Sequence, residues 1–370
     1  MSRMYCYRKS RILSHSEDTI VKMHIPVGLV AACLLFAASS CTNKAEVSPS
    51  IDPAQLQMFA PLPKEAPPPA GSLVDARISL GRMLYYEPRL STDQKISCNS
   101  CHELEKYGVD GQATSDGHNG QFGTRNSPTV YNAAGHVAQF WDGRAADVEE
   151  QAKGPILNPI EMAMPSEKVL VAVLKSMPEY VQAFQAAFPT DADPVSFENT
   201  AKAIGAFERR LITPSRWDKF LEGDQAALTP AEKRGFNTFL AAGCQACHSG
   251  ALLGASRYER LGVMKPYPDA SDSGRFQVTK SQNDKMVFKI SSLRNVEKTG
   301  PYFHNGKVAT LEDAVERMGV YQVGEELSDD QVQSIVIWLR SLTGEIPAEY
   351  VKPPKLPEST PTTPKPETPG

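Results

Sequence analysis

Cysteine and histidine recur twice in one spacing, as Cys98-Asn99-Ser100-Cys101-His102 and Cys244-Gln245-Ala246-Cys247-His248. Two thiols separated by two residues can form thioethers with both vinyl groups of a haem, while the His that follows ligates the iron. The chain has seven cysteines, and Cys6, Cys33 and Cys41 fall in its N-terminal leader, so these two units use every cysteine of the body. A four-Cys zinc site or two short disulfides would use the same thiols. Neither needs a His directly behind the second Cys, and here one is present both times. The reading is a secreted c-type cytochrome with two covalently bound haems.

An electron-transfer haem wants a second axial ligand, and a soft thioether favours ferrous iron and raises the potential. After Cys247 the candidates are Met264, Met286 and Met318, each of which could equally fill a core. A haem that activates peroxide needs a displaceable sixth position and a nearby group that moves a proton between the two oxygens. After the first unit lie His118, His136, Gln151 and Glu161. His118 sits in Asp116-Gly117-His118-Asn119-Gly120, a loop from which it could ligate iron and swing away, although a loop His is commonly only solvated.

Helices must carry these groups. Ala76, Leu80, Met83 and Leu84 mark an amphipathic helix before the first unit; Phe197, Ala201, Ile204, Phe207 and Leu211 mark another, with Pro214 just past it. Thr229-Pro230-Ala231-Glu232 combines an N-cap, a first-turn Pro and a capping Glu, and the helix it opens delivers Cys244. Thr310 caps a segment ending in Met318, and Ser328 caps a last helix with Val332, Ile335, Val336 and Leu339 on one face and Gly344 at its end. Strand patterns are scarce. The fold class is therefore all-α, as two cytochrome c-like domains with one haem each.

The length of 370 residues fits two domains, and a net charge of −4 offers no footprint for nucleic acid. The apolar run from Val27 to Ala38 is too short to span a bilayer and reads as a secretory segment. Ala38-Ser39-Ser40-Cys41 resembles a lipobox, which makes Cys41 the expected lipidation site, with simple cleavage as the alternative; Met1 or Met23 could be the start. The expected organisation is a signal peptide at 1–41, a flexible tether at 42–71, one haem domain at 72–215, a second at 216–346 and a Pro-rich disordered tail at 347–370. The location is the periplasmic side of a bacterial membrane.

Beyond the haem units, the chain resembles the bacterial di-haem cytochrome c peroxidases and their MauG-like relatives. The resemblance spans about residues 72 to 345 and is dense in Arg125-Asn126-Ser127-Pro128-Thr129, Phe140-Trp141-Asp142-Gly143-Arg144, Glu150-Gln151-Ala152-Lys153-Gly154, Asn158-Pro159-Ile160-Glu161-Met162 and Gly300-Pro301-Tyr302-Phe303-His304. It implies that the first haem is peroxidatic, with His102 proximal and His118 as the displaceable distal ligand. Glu161 then matches the acid/base residue, Gln151 its amide neighbour, and Trp141 the tryptophan between the haems. His248 and Met318 would ligate the electron-donating haem, and Asn126, Thr299 and Pro301 would hold calcium, an ion suited to oxygen ligands. Without the resemblance, Trp141 reads as core and Asn126 as a turn residue. The implied reaction is reduction of hydrogen peroxide with electrons from a small cytochrome c or cupredoxin, and the family tendency to dimerise implies a homodimer. Competing readings are a MauG-like oxidant of protein residues, with Tyr at the Met318 position and Tyr321 nearby, a non-catalytic di-haem electron carrier, and a zinc-binding structural module.

Overall fold

The computed structural model describes residues 49–63 and 75–366; the expected leader, with Cys41, lies outside them. The longer helices are α1 (Asp75–Tyr85), α2 (Val148–Leu157), α3 (Glu167–Lys175), α4 (Pro178–Ala187), α5 (Phe197–Glu208), α6 (Pro230–Ala241), α7 (Leu311–Met318) and α8 (Asp329–Arg340). Their caps follow the chemistry written in the sequence. Thr229 Oγ1 accepts from the Glu232 amide at 3.2 Å while Glu232 Oε2 accepts from the Thr229 amide at 2.8 Å, and Ser328 forms the same reciprocal pair with Gln331. Gly344 does not close α8, which ends at Arg340 with Ser341 as its cap; Gly344 instead sits where a side chain would strike the Thr213 carbonyl.

A two-stranded antiparallel ribbon, β1 (Tyr258–Arg260) with β2 (Val287–Lys289), is the exception to an otherwise helical architecture. Three residues per strand are too few for alternation to register in the sequence. The ribbon pairs Tyr258 with Lys289 and Arg260 with Val287.

Two buried hydrophobic cores form. One gathers α1 to α5 around Leu80, Leu84, Leu174, Phe184, Ile204 and Phe207. The other gathers α6 to α8 around Trp217, Phe236, Phe239, Val336 and Trp338, with Phe239 and Trp338 rings 4.5 Å apart. In each core the helix leading toward a Cys-x-x-Cys-His unit crosses a later helix at a glycine. A Cβ at Gly81 of α1 would lie 1.8 Å from the Ala203 carbonyl of α5, and one at Gly235 of α6 would lie 2.1 Å from the Ser334 carbonyl of α8. The backbones can approach this closely only without that carbon.

Both expected loose segments are bound where the structure describes them. In the tether, Pro53–Leu56 forms a helical turn, and Phe59, 7% exposed, packs edge-on against Trp217 and Phe236. The Leu62 amide donates to Asp218 Oδ1 at 2.7 Å. One aromatic ring supplies the apolar area that the segment's average composition hides. The tail lies along the first core: Val351 is buried, Tyr350 stacks on Phe207, and Arg89 donates to the Pro357 carbonyl and to Ser359 at 2.8 and 2.9 Å. Gln94 donates to the Pro364 carbonyl at 2.8 Å. An extended Pro-rich chain keeps its carbonyls free of internal bonds, so side chains of the domain can take them up.

Ending the chain after Lys352 should remove the bonds that Arg89 and Gln94 make to Pro357, Ser359 and Pro364 and lower Tm by roughly 2–4 °C, the shift that about 1 kcal/mol gives in a domain of this size; an unchanged melting curve would mean that part of the tail is unseated. Gly235→Val should destabilise by about 1–3 kcal/mol through overpacking of α6 against α8, measured by urea unfolding against wild type.

Candidate haem sites and their junction

α6 hands directly to the turn Cys244–Ala246, and the His248 that follows has Nδ1 3.0 Å from the Leu253 carbonyl. That bond fixes the tautomer and leaves Nε2 free as a metal ligand. Burial also lowers the His248 pKa, so the ring is neutral, as ligation requires. Cys244, Cys247, His248 and Met318 line one largely apolar cavity of about 300 Å³, together with Trp141 and side chains of α6 and α8. Met318 reaches it from the last turn of α7. Met264 is instead 62% exposed, and Tyr321 packs edge-on against Tyr267 at 5.1 Å; neither lines the cavity, nor does Met286. Two thiols, an imidazole and a thioether around a dry space are the donor set of a six-coordinate c-type haem.

The first unit forms a one-turn helix, Cys98–Cys101, with His102 as its cap. Tyr85 donates to the His102 carbonyl at 2.8 Å, and Asn99 Oδ1 accepts from the Leu104 amide, which together fix the loop. Burial lowers the His102 pKa and pushes the Cys101 thiol up to about 11. All four cysteines of the two units are free of disulfides. Among the described residues no group of three or more His, Cys, Asp or Glu side chains converges on a metal position.

His118 and Glu161 come together here through the backbone. The His118 amide donates to the carbonyls of Ile160 and Glu161, both at 2.9 Å, so the loop carrying one is fastened to the turn carrying the other. Asn158 holds Glu161 Oε1 at 2.9 Å. Burial raises the Glu161 pKa, opposed by the Arg144 guanidinium and the Asn158 bond. The His118 Nδ1 atom is buried, 3.7 Å from Asp93 Oδ2, and Nε2 meets Asn119 Nδ2 at 2.9 Å. Gln151 stands on α2, whose last carbonyls, of Gly154 and Pro155, accept from Asn158 and Met162 and so fold the Glu161 turn back onto the helix. Beside the Cys98 helix a polar cleft of about 400 Å³, lined by Asp93, Ser100, Asp110, Asp116 and Asn119, opens to solvent. His136 belongs elsewhere: its Nδ1 lies 2.9 Å from Lys289 Nζ on β2.

Between the two sites Arg125 holds three strands of chain. It meets Asp142 at 2.6 Å and grips Asp272 through Nε at 2.6 Å and Nη2 at 2.9 Å. The next residue, Asn126, accepts the Trp141 indole N–H at 2.9 Å on its carbonyl and donates its amide to the His304 carbonyl at 2.8 Å. The Trp141 carbonyl in turn accepts from the Lys289 amide. The Asn126 side-chain nitrogen donates to Gln112, leaving Oδ1 as its acceptor; Thr299 ends the turn Val296–Lys298, and Pro301 follows a cis peptide. Sequence reasoning missed Asp93 and Lys289. A lysine inside the apolar run Val287-Phe288-Lys289-Ile290 was the one available signal; Asp93 carried none.

These features have counterparts in known proteins. The description "Di-haem cytochrome c peroxidase" matches residues 75–226. The chain is 48% identical to a cytochrome c551 peroxidase of Pseudomonas aeruginosa over 84% of its own length and 90% of that protein. Its identity to the methylamine utilization protein MauG of Methylorubrum extorquens is 31%, over 84% of this chain and 91% of that one. A solved MauG-like protein associated with microbial copper homeostasis superposes with a TM-score of 0.71 at 29% identity, covering 79% of this chain and 98% of the other. The paired haem-binding units, the similarity along nearly the whole body and the matching helical fold lead to one conclusion: this chain belongs to the di-haem cytochrome c peroxidase family.

Proposed function

We propose that the protein reduces hydrogen peroxide to water with electrons from a small periplasmic cytochrome c or cupredoxin. The observation that carries this reading is the partly buried Glu161 carboxyl, fastened to the His118 loop and close enough for its charge to reach Cys101. The relatives at 48% identity, from Pseudomonas aeruginosa and Nitrosomonas europaea, carry the name cytochrome c551 peroxidase, which supports it.

Two cytochrome c-like domains, 72–215 and 216–346, each hold one haem in this reading. Cys98 and Cys101 anchor the first and His102 ligates it; Cys244, Cys247, His248 and Met318 hold the second. The haems supply peroxide binding at the first site and electron delivery from the second. His118, on the loop fastened to the Glu161 turn, would be the displaceable ligand of the first haem, and its movement would open a place for peroxide. Glu161 would pass a proton from one peroxide oxygen to the other, and with two electrons from the donor and two further protons both oxygens would leave as water. Burial raises its pKa, the direction that favours a carboxyl able to hold and release a proton. Gln151 supplies an amide toward the same space, and the polar cleft beside the Cys98 helix offers peroxide a route in. Trp141 lies on the wall of the second cavity and carries electrons across the junction.

Asn126 Oδ1, with carbonyl oxygens of Thr299 and Pro301, binds calcium at that junction in this scheme. The mature chain sits on the periplasmic side of the membrane through a lipid on Cys41, as a homodimer. A MauG-like oxidation of protein residues fits less well, since Met318 rather than Tyr321 faces the cavity. A pure electron carrier would have no use for Glu161.

Glu161→Gln should lower peroxidase kcat by about 10²–10⁴-fold, the range for loss of an acid/base group, while leaving haem content unchanged; stopped-flow turnover with a reduced donor measures this, and full activity would refute the assignment. Removal of calcium with a chelator should slow turnover and be reversed by adding the ion back.

A further inference from the structure

The cavity behind Cys244 and Cys247 has two cations in its wall that the reaction above does not use, Lys289 and Arg260. Lys289, the last residue of β2, is 8% exposed and lines this cavity with Trp141. Its Nζ lies 2.9 Å from His136 Nδ1, and its amide donates to the Trp141 carbonyl at 2.8 Å. Neither neighbour is an anion. The carboxylate whose charge reaches Lys289 is Asp142, and that group is already engaged by Arg125 at 2.6 Å and Arg144 at 3.1 Å. Arg260, the other cation of the wall, spends its guanidinium on the carbonyls of Lys285 and Asn283.

A buried ammonium without a paired anion is strongly unfavourable, so proteins that keep one normally bring it a counter-charge. Burial pushes the Lys289 pKa down to about 7, with the Asp142 charge acting in the opposite sense. His136 only accepts a hydrogen bond from it: burial holds that ring neutral, and its Nε2 is buried with no partner. The carboxylate of the wall, Glu259 on β1, lies opposite Phe288 and accepts from the Arg260 amide at 2.9 Å, and among the described residues no ion pair joins it to Lys289; the haem inferred for this cavity carries two further carboxylates as propionates. We propose that Lys289 binds a propionate of the haem held by Cys244, Cys247 and His248, and that its charge raises the reduction potential of that haem. The proposal rests on the haem reading above. A positive charge beside the ring favours the ferrous form, because reduction adds an electron there. The strand that carries this charge is bonded to Trp141, so the same contact seats the haem against the tryptophan.

Spectroelectrochemical titration of the holoprotein tests this in K289Q, K289R and M318H. K289Q should shift the reduction equilibrium of the second haem about tenfold toward the oxidised form, or about 59 mV for one electron, while K289R stays within about twofold of wild type. M318H identifies the transition, since imidazole in place of thioether lowers the potential of the same haem. If M318H moves one transition and K289Q leaves it unmoved, Lys289 has no such role. If M318H moves neither, ligation by Met318 is the reading that fails, and the K289Q shift then judges Lys289 alone. Should K289Q assemble poorly, K289R decides: a retained potential supports the charge pair, and a tenfold fall with the charge still present overturns it.

Discussion

The junction between the two haem sites depends on Arg125. Its guanidinium is shared between Asp142, one residue past Trp141, and a two-point grip on Asp272. A planar fork fits two carboxylates in fixed directions, so this pairing sets orientation as well as distance. Burying such charges stabilises little in net terms, but removing one partner would leave the others uncompensated. From this clamp follow the positions of Asn126, of the Trp141 indole bonded to it and of the His304 backbone on its far side. The ribbon bearing Lys289 joins the same chain of contacts through the Trp141 carbonyl. Trp141 is therefore held on both its ring and its backbone, which keeps one attitude for a side chain on the wall of the second cavity.

On either side of the junction the same local motif meets different surroundings. Behind Cys244 and Cys247 the walls come from α6, α7 and α8, and they are apolar apart from a few groups such as Lys289. A dry cavity with a thioether ligand stabilises reduced iron. Around Cys98 and Cys101 the nearby groups are carboxylates, amides and loop backbone, next to a polar cleft. There the raised pKa of Glu161 comes mainly from burial, with Arg144 acting in the opposite sense. One carboxyl in a partly dry pocket has the chemistry to shuttle a proton, whereas the second cavity offers mainly apolar wall.

The two Pro-rich segments refine the picture of the ends. Each is docked on a different core, the earlier one through Phe59 and the later one through Tyr350, Val351 and a series of backbone carbonyls. The later segment reaches Gln94, whose neighbour Asp93 faces His118. The C-terminal segment thus supports the stretch of chain that backs the His118 loop.

Much of the helical framework was legible in the sequence because its signals are local. Capping residues such as Thr229 and Ser328 act within three positions, apolar spacing acts within a turn or two, and thioether chemistry is complete within five residues. The same locality explains why both Cys-x-x-Cys-His units were plain while their inequality rested on resemblance alone. Local signals misjudged the ends as well, since average composition conceals a single Phe59, and Gly344 looked like a helix stop because its close approach to Thr213 is 131 positions away in the chain. Met318 could be separated from Met264, Met286 and Tyr321 only when α7 was packed against α6 and α8. Asp93 behind His118 has no signature in neighbouring residues, and the apolar run around Lys289 marks it as unusual without showing that it faces the second cavity beside His136. Their meaning comes from desolvation and from charges brought close by folding, and both quantities exist only once distant segments are packed together.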